Sequence, residues 1–188
     1  VDIRKAAIVS HKLFHLMAKL YFNYSSMNAG KSTMLLQANH NYQERGMNTV
    51  IYTSSVDDRY GKREIVSRIG LRAKSNIFSE TTNIYEEVVN LNKNKRVDCV
   101  LIDEAQFLNK NQVEQLGKIV DILDTPVLTF GIRTDFKGNL FEGSEYLLAW
   151  ADNLKEIKTV CHCGRKATMV LRLDENGNVL ETGDQIEI

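Results

Sequence analysis

A chain of 188 residues with 43% hydrophobic and 26% charged content is ordinary for a soluble globular protein, long enough for one domain with a real core and a small appendage. Its 24 basic residues balance 24 acidic ones, which speaks against a strongly basic nucleic-acid surface. No apolar run approaches the roughly 20 residues that span a bilayer, and three cysteines (Cys99, Cys161 and Cys163) make no disulfide framework, so a cytoplasmic protein bound to neither nucleic acid nor membrane is expected.

In chain order, residues 1–16 carry no sustained apolar stretch or small-residue cleavage site. Met17 reads as a natural start, and the segment before it as an alternative-start or added leader without catalytic role. KLYFNY (Lys19 to Tyr24) reads as a buried first strand. Lys31 to Arg45 reads as a helix with Met34, Leu35, Ala38 and Tyr42 on one face and Gly46 closing it. NTVIYTSS is a second strand, and VDDRYGKREIVSRIG a charge-dense loop. A helix over Ile84 to Lys95 leads to VDCVLIDE (Val97 to Glu104), whose apolar run suits a strand covered on both faces. KNQVEQLGKIVDIL reads as a helix, TPVLTFGI as a strand and GSEYLLAWADNL as a short helix. This alternation predicts an α/β fold, a phosphate-loop parallel sheet flanked by helices, over 17–158. From Thr159 the character changes. VCHCGRK is a tight knuckle, and ATMVLRL and NVLETGDQIEI flank the turn DENGN, so a small metal-binding knuckle and β-hairpin appendage is expected over 159–188.

The pattern G-x-x-x-x-G-K-[ST] maps onto Ser25 to Ser32 with only its first glycine replaced. Gly30 lets backbone approach phosphates, Lys31 reaches the β- and γ-phosphates, the Ser32 hydroxyl ligates magnesium, and the helix N-terminus adds amide donors. Ser25 lacks glycine's freedom at positive φ, so a turn of another type is expected there. A bare motif can match by chance; its place between strand and helix favours a nucleotide site. CVLIDEAQF then supplies Asp103 and Glu104 at a strand end. They are either plain surface acids, or a magnesium-associated acid and a group that takes a proton from a nucleophile or positions water. The pair does not choose between kinase and ATPase. Asp57, Asp58 and Arg59 in VDDRYG read on composition as a solvated loop, although an arginine there would stabilise charge on a transferred group. Cys161 and Cys163 are too close to pair well with each other and well spaced for a metal; His162 between them would point away from a shared ion.

SSMNAGKST, VDDRYG, LIDEAQF, GIRTDFKG and CHCGRKA occur in the order and spacing of the type II thymidine kinases, the bacterial members especially, and the likeness runs from Met17 to the end. Bacterial members also carry serine at the position of Ser25. The resemblance implies transfer of the ATP γ-phosphate to the 5′-hydroxyl of thymidine, giving thymidylate. It implies ATP contacts from Ser25, Ser26, Met27, Asn28, Ala29, Gly30, Lys31 and Ser32 and from Asp103, Glu104, Ala105 and Gln106. Glu104 resembles the general base, Ser32 and Asp103 the magnesium pair, and Arg59, with Asp57, residues facing the phosphates. Met27, Phe107 and Phe136 resemble the walls of the thymine pocket, though each alone would read as core packing. Cys161 and Cys163 resemble the first ligand pair of a structural zinc, with the other pair and the nucleoside lid expected beyond Ile188. A homotetramer inhibited by thymidine triphosphate is implied as well. On the residues alone, a zinc-ribbon ATPase acting on or near nucleic acid and a catalytically silent nucleotide-binding module stay open.

Overall fold

The computed structural model describes residues 17–56 and 63–185. In chain order it contains β1 (Leu20–Ser25), α1 (Lys31–Glu44), β2 (Thr49–Ser54), β3 (Glu64–Val66), β4 (Arg72–Lys74), β5 (Asn76–Phe78) and α2 (Ile84–Asn92). There follow β6 (Cys99–Ile102), a 3-10 turn (Ala105–Phe107), α3 (Lys110–Leu123), β7 (Val127–Ile132), α4 (Glu142–Trp150), β8 (Asn153–Glu156), β9 (Thr159–Val160) and β10 (Lys166–Ala167).

Six strands form one parallel sheet in the order β5-β2-β6-β7-β1-β8. Strand β6 shows why. All four of its residues are buried, and its pleat sends Val100 and Ile102 into one apolar cluster and Cys99 and Leu101 into another. The larger cluster holds Leu20, Phe22, Ile84, Leu116 and Leu147, which lie on β1, α2, α3 and α4. The smaller holds Leu35 and Leu36 from α1 with Ile51 and Phe130, and Met34, Ala38 and Tyr42 pack against it. A sheet buried on both faces needs an apolar residue at every position, and the continuous run supplies it.

Helices α2 and α3 start on asparagine caps: Asn83 accepts from the Glu86 amide, and Asn109 and Gln112 form a reciprocal capping box. Helix α1 starts at Gly30 with no side-chain cap. Because the strands are parallel, β1, β6 and β7 all end at one edge of the sheet, so the segments after Ser25, Ile102 and Ile132 emerge together there.

The structure departs from the sequence reading in four places. The 56–70 stretch is not wholly loop, since β3 pairs antiparallel with β4 around a turn at Gly70 (φ 88°). β5 then joins the sheet edge beside β2. The expected last helix stops at Trp150, and β8 runs parallel to β1 at the other edge. The hairpin expected after Ala167 is reduced to a single bridge between Leu173 and Val179, with β9 and β10 forming their own two-residue pair around the cysteine knuckle.

Candidate active site

Strand β1 ends at Ser25, and the chain reaches α1 through Asn28 (φ 64°) and Gly30 (φ 80°). The left-handed positions of this loop are therefore the fourth and sixth of the motif, and Ser25 remains the last residue of a strand. A Cβ on Gly30 would meet nothing within 4 Å, so its backbone angle, not crowding, is what calls for glycine. The Ser25 hydroxyl donates to the Ser26 carbonyl at 2.7 Å. The Lys31 ammonium donates to that hydroxyl at 3.2 Å and to the same carbonyl at 3.0 Å, so the serine serves as a polar seat for the lysine within the loop.

Across β7, the chain leaves β6 at Asp103. Its carboxylate is buried and accepts from the Ser32 hydroxyl at 2.9 Å and from the Glu104 amide at 3.1 Å. Burial, and next the adjacent Glu104 charge, push its pKa up to about 7 against the opposing Ser32 hydrogen bond. A hydroxyl and a carboxylate in contact at the foot of a phosphate loop are hard oxygen donors, the kind a magnesium ion takes. These residues fit that ion.

Glu104 has φ 50°, left-handed for a residue with a side chain. Gln106 is buried and donates from Nε2 to Glu104 Oε2 at 2.6 Å, while its Oε1 accepts from the Ile132 amide at 3.2 Å. The β7 backbone thus fixes which end of the amide faces Glu104. Two glycines make room for this turn. A Cβ on Gly131 would lie 2.8 Å from Gln106 Oε1, and one on Gly143 in α4 would lie 2.5 Å from the Ala105 carbonyl.

One cleft of about 730 Å³ spans these parts. Met27 to Ser32, Glu104 and Gln106, and the aromatic side chains Phe107, Phe136 and Phe141 all line it. Phe107 and Phe141 meet edge to face at 5.9 Å. The three residues expected to line a flat base, Met27, Phe107 and Phe136, all border this cleft, as do Lys31, Ser32 and Glu104. Ser25, Ser26, Asp103 and Ala105 are buried and do not line it. Asp57 and Arg59 fall outside the described residues, as do 1–16.

Two further walls went unrecognised in the sequence. Val66 to Ile69, at the β3–β4 turn, and Val170, Leu171, Arg172 and Gln185 also border the cleft. The second group belongs to the segment read as appendage, so that segment reaches the cleft as well. A charge-rich hairpin and a fold-back of residues 170–185 leave no local pattern that points at a cleft.

Cys161 and Cys163 sit on the β9–β10 turn, which closes through the Cys161 amide to the Arg165 carbonyl at 2.7 Å and through Gly164 at φ 79°. The Arg165 amide and the Cys161 thiol hold Cys163 below the usual thiol range. His162 Nδ1 lies 3.4 Å from Cys161 Sγ. Two thiols supply half of a tetrahedral zinc sphere. Among the described residues no group of three or more His, Cys, Asp or Glu side chains gathers to complete it.

A family model described as thymidine kinase matches residues 18–187. The chain belongs to the thymidine kinase family. A thymidine kinase from Vibrio vulnificus (strain YJ016) is 59% identical over 172 residues, 92% of this chain and 90% of the relative. Those from Mannheimia succiniciproducens and Haemophilus influenzae are each 57% identical over 92% of this chain and 88% and 89% of their own. Among solved structures, a DNA replication initiation factor overlaps 74% of this chain and 40% of its own length at 21% identity with a TM-score of 0.43, too loose a match to bear on the thymidine kinase site.

Proposed function

We propose that this chain is an ATP-dependent thymidine kinase that transfers the γ-phosphoryl group to the 5′-hydroxyl of thymidine, giving thymidylate and ADP. The observation that carries this reading is the shared cleft: phosphate-loop groups, an acid held by Gln106 and an aromatic wall border one space. A phosphoryl transfer asks for little else, because positioning and charge stabilisation supply most of its acceleration.

In this reading Ser25 to Ser32 and Asp103 to Gln106 hold ATP, and the Lys31 ammonium leaves Ser25 and Ser26 for the β- and γ-phosphates. Ser32 and Asp103 would hold a magnesium ion, which would supply charge neutralisation at the phosphates when bound with ATP. Met27, Phe107 and Phe136 hold the thymine ring by apolar contact and stacking, as a flat base requires. Glu104, fixed by Gln106, accepts the 5′-hydroxyl proton as the new oxygen–phosphorus bond forms and the bond to ADP breaks. Arg59, together with Asp57, is assigned to the phosphates on family resemblance. Cys161 and Cys163 would supply two ligands to a structural zinc in the segment from Thr159 onward, which follows the ATP-binding 17–158 core in the chain. A cytoplasmic homotetramer inhibited by thymidine triphosphate completes the reading; it rests on family resemblance.

The deciding experiment follows ADP release from Mg·ATP with and without thymidine. Turnover that depends strictly on thymidine, with thymidylate formed one for one, is the expected result. Nucleoside-independent turnover would instead mark an ATPase in which Glu104 orients water.

A further inference from the structure

Phe136 stands on a tight turn whose geometry is spelled by five residues. Asp135 accepts through Oδ1 from the amides of Lys137 and Asn139, at 2.9 and 2.8 Å, and Gly138 turns the chain at φ 87°. The same device recurs at Asp174, whose Oδ1 accepts from the Asn176 and Asn178 amides at 2.9 and 2.8 Å, with Gly177 at φ 83°. This second turn folds the chain back on itself, so that the Leu180 amide donates to the Arg172 carbonyl at 2.9 Å. The arm that returns, 183–185, reaches Phe136.

Two cations close the junction. The Arg172 guanidinium lies 4.2 Å from the centre of the Phe136 ring, and its Nη1 donates to the Asp184 carbonyl at 2.9 Å. The Lys137 ammonium lies 5.5 Å from the same ring and donates to the Gly183 carbonyl at 2.6 Å. A Cβ on Gly183 would sit 3.3 Å from Arg172 Nη1 and 3.7 Å from the ring, so the returning arm lies directly against the stacked pair. A planar guanidinium can lie flat on a ring face while its edge N–H groups donate to a carbonyl, a closer stack than the point charge of Lys137 makes.

We propose that Arg172 is a positioning residue of the nucleoside subsite, clasping residues 183–185 onto Phe136 and so fixing the ring and the adjoining wall against which the base packs. The proposal rests on the reading of Phe136 as part of that subsite. Arg172 acts through Phe136 and through the arm, with no part in moving the phosphoryl group.

The test uses steady-state kinetics on Arg172→Ala, Arg172→Lys, Phe136→Ala and the Arg172→Ala, Phe136→Ala double variant, with thermal unfolding of each. Arg172→Ala should raise the thymidine KM about tenfold and the ATP KM by less than about twofold, with Arg172→Lys in between, because lysine keeps the charge but loses the stack. In the Phe136→Ala background, removing Arg172 should add less than about twofold, since its partner is already gone. If Phe136→Ala leaves the thymidine KM unchanged, the underlying placement of the base fails. If Phe136→Ala raises it and Arg172→Ala does not, or if the two substitutions simply multiply, the clasp is overturned while that placement stands. Should Arg172→Ala fail to fold, Gly183→Ala crowds the same contact and should likewise raise the thymidine KM alone; an equal rise for ATP would overturn the proposal.

Discussion

Glu104 occupies a backbone region that costs a residue with a side chain about 1–3 kcal/mol, and such positions persist where neighbours over-determine them. Here the Asp103 carboxylate takes the Glu104 amide and the Gln106 amide takes its carboxylate, so the strain sits where the proposed proton acceptor stands. Glu104→Gln keeps the shape and removes the proton affinity. Turnover should fall by roughly 10²–10⁴-fold, the usual share of general base catalysis, while ATP binding by calorimetry is retained. Near-normal thymidylate formation by that variant would remove Glu104 from the mechanism. Lys31→Ala should weaken ATP binding and turnover together, because the charge on the β- and γ-phosphates is lost. The neighbouring Asp103 gives a stability signature of its own. Its folded pKa is raised from 3.8 to about 7 by burial and then by the Glu104 charge. Between those values the folded chain holds more protons than the unfolded one, so this group's contribution to ligand-free stability falls as pH rises from about 4 to about 7. Melting temperature measured across that window should decline less steeply for Asp103→Asn, which keeps an acceptor for Ser32 and cannot titrate; identical slopes would show that Asp103 is ionised throughout.

At the scale of elements, the acidic turn is wedged between β7 and α4 by two absent side chains. A methyl on Gly143 would meet the Ala105, Leu108 and Gln106 carbonyls at 2.5, 2.7 and 3.0 Å, all backbone atoms with no rotamer to yield. Overpacking of this kind costs typically about 1–3 kcal/mol, which for a chain of this length lowers the melting temperature by about 2–12 °C. Gly143→Ala should show that drop together with a fall in kcat, since Gln106 and Glu104 move with the turn; a stable variant with unchanged kcat would show the turn to be slack. No sequence pattern announced these glycines, whose role appears only when α4 packs on the turn. What was legible were elements whose chemistry is contiguous. The phosphate loop, the CVLIDE run and α3 between its asparagine cap and Leu123 all follow from neighbours in the chain. Strand β8 is not legible in the sequence, where Asn153 and Leu154 read as a helix end, because NLKE lies largely exposed at the sheet edge and carries no alternation. The β3–β4 hairpin hid in a charge-dense stretch, since only Ile65 of its first strand is buried.

The molecule as a whole divides by burial. Both apolar clusters are built from residues before Ala151 and the few that lean on them, whereas none of the described residues from 151 to 185 is buried. Large apolar side chains in that stretch, among them Val160, Met169, Leu171, Leu173 and Val179, stay between 44% and 72% exposed. Such a segment draws little stability from the hydrophobic effect and depends on its ties: the Lys166–Glu156 ion pair at 2.5 Å, the two aspartate turns and the contacts around Phe136. Exposed ion pairs contribute little, so local opening of this segment should be far less costly than opening of the sheet. The change of character near Thr159 is legible in the sequence; that Val170 to Arg172 and Gln185 reach the cleft is not, because nothing local shows a chain folding back over the turn at Phe136. Hydrogen exchange tests this division. Amides in β6 and β7 should exchange on the timescale of global unfolding, and those in 159–185 orders of magnitude faster. Adding thymidine should slow exchange at 170–185 and around Phe136, because a bound base lends that wall the burial it lacks. Treating the protein with a zinc chelator, or substituting Cys163→Ser, should speed exchange through 159–167 and leave β6 and β7 unchanged. Equal acceleration in the core sheet would show instead that knuckle and core open as one unit, and that these ties carry more stability than their exposure allows.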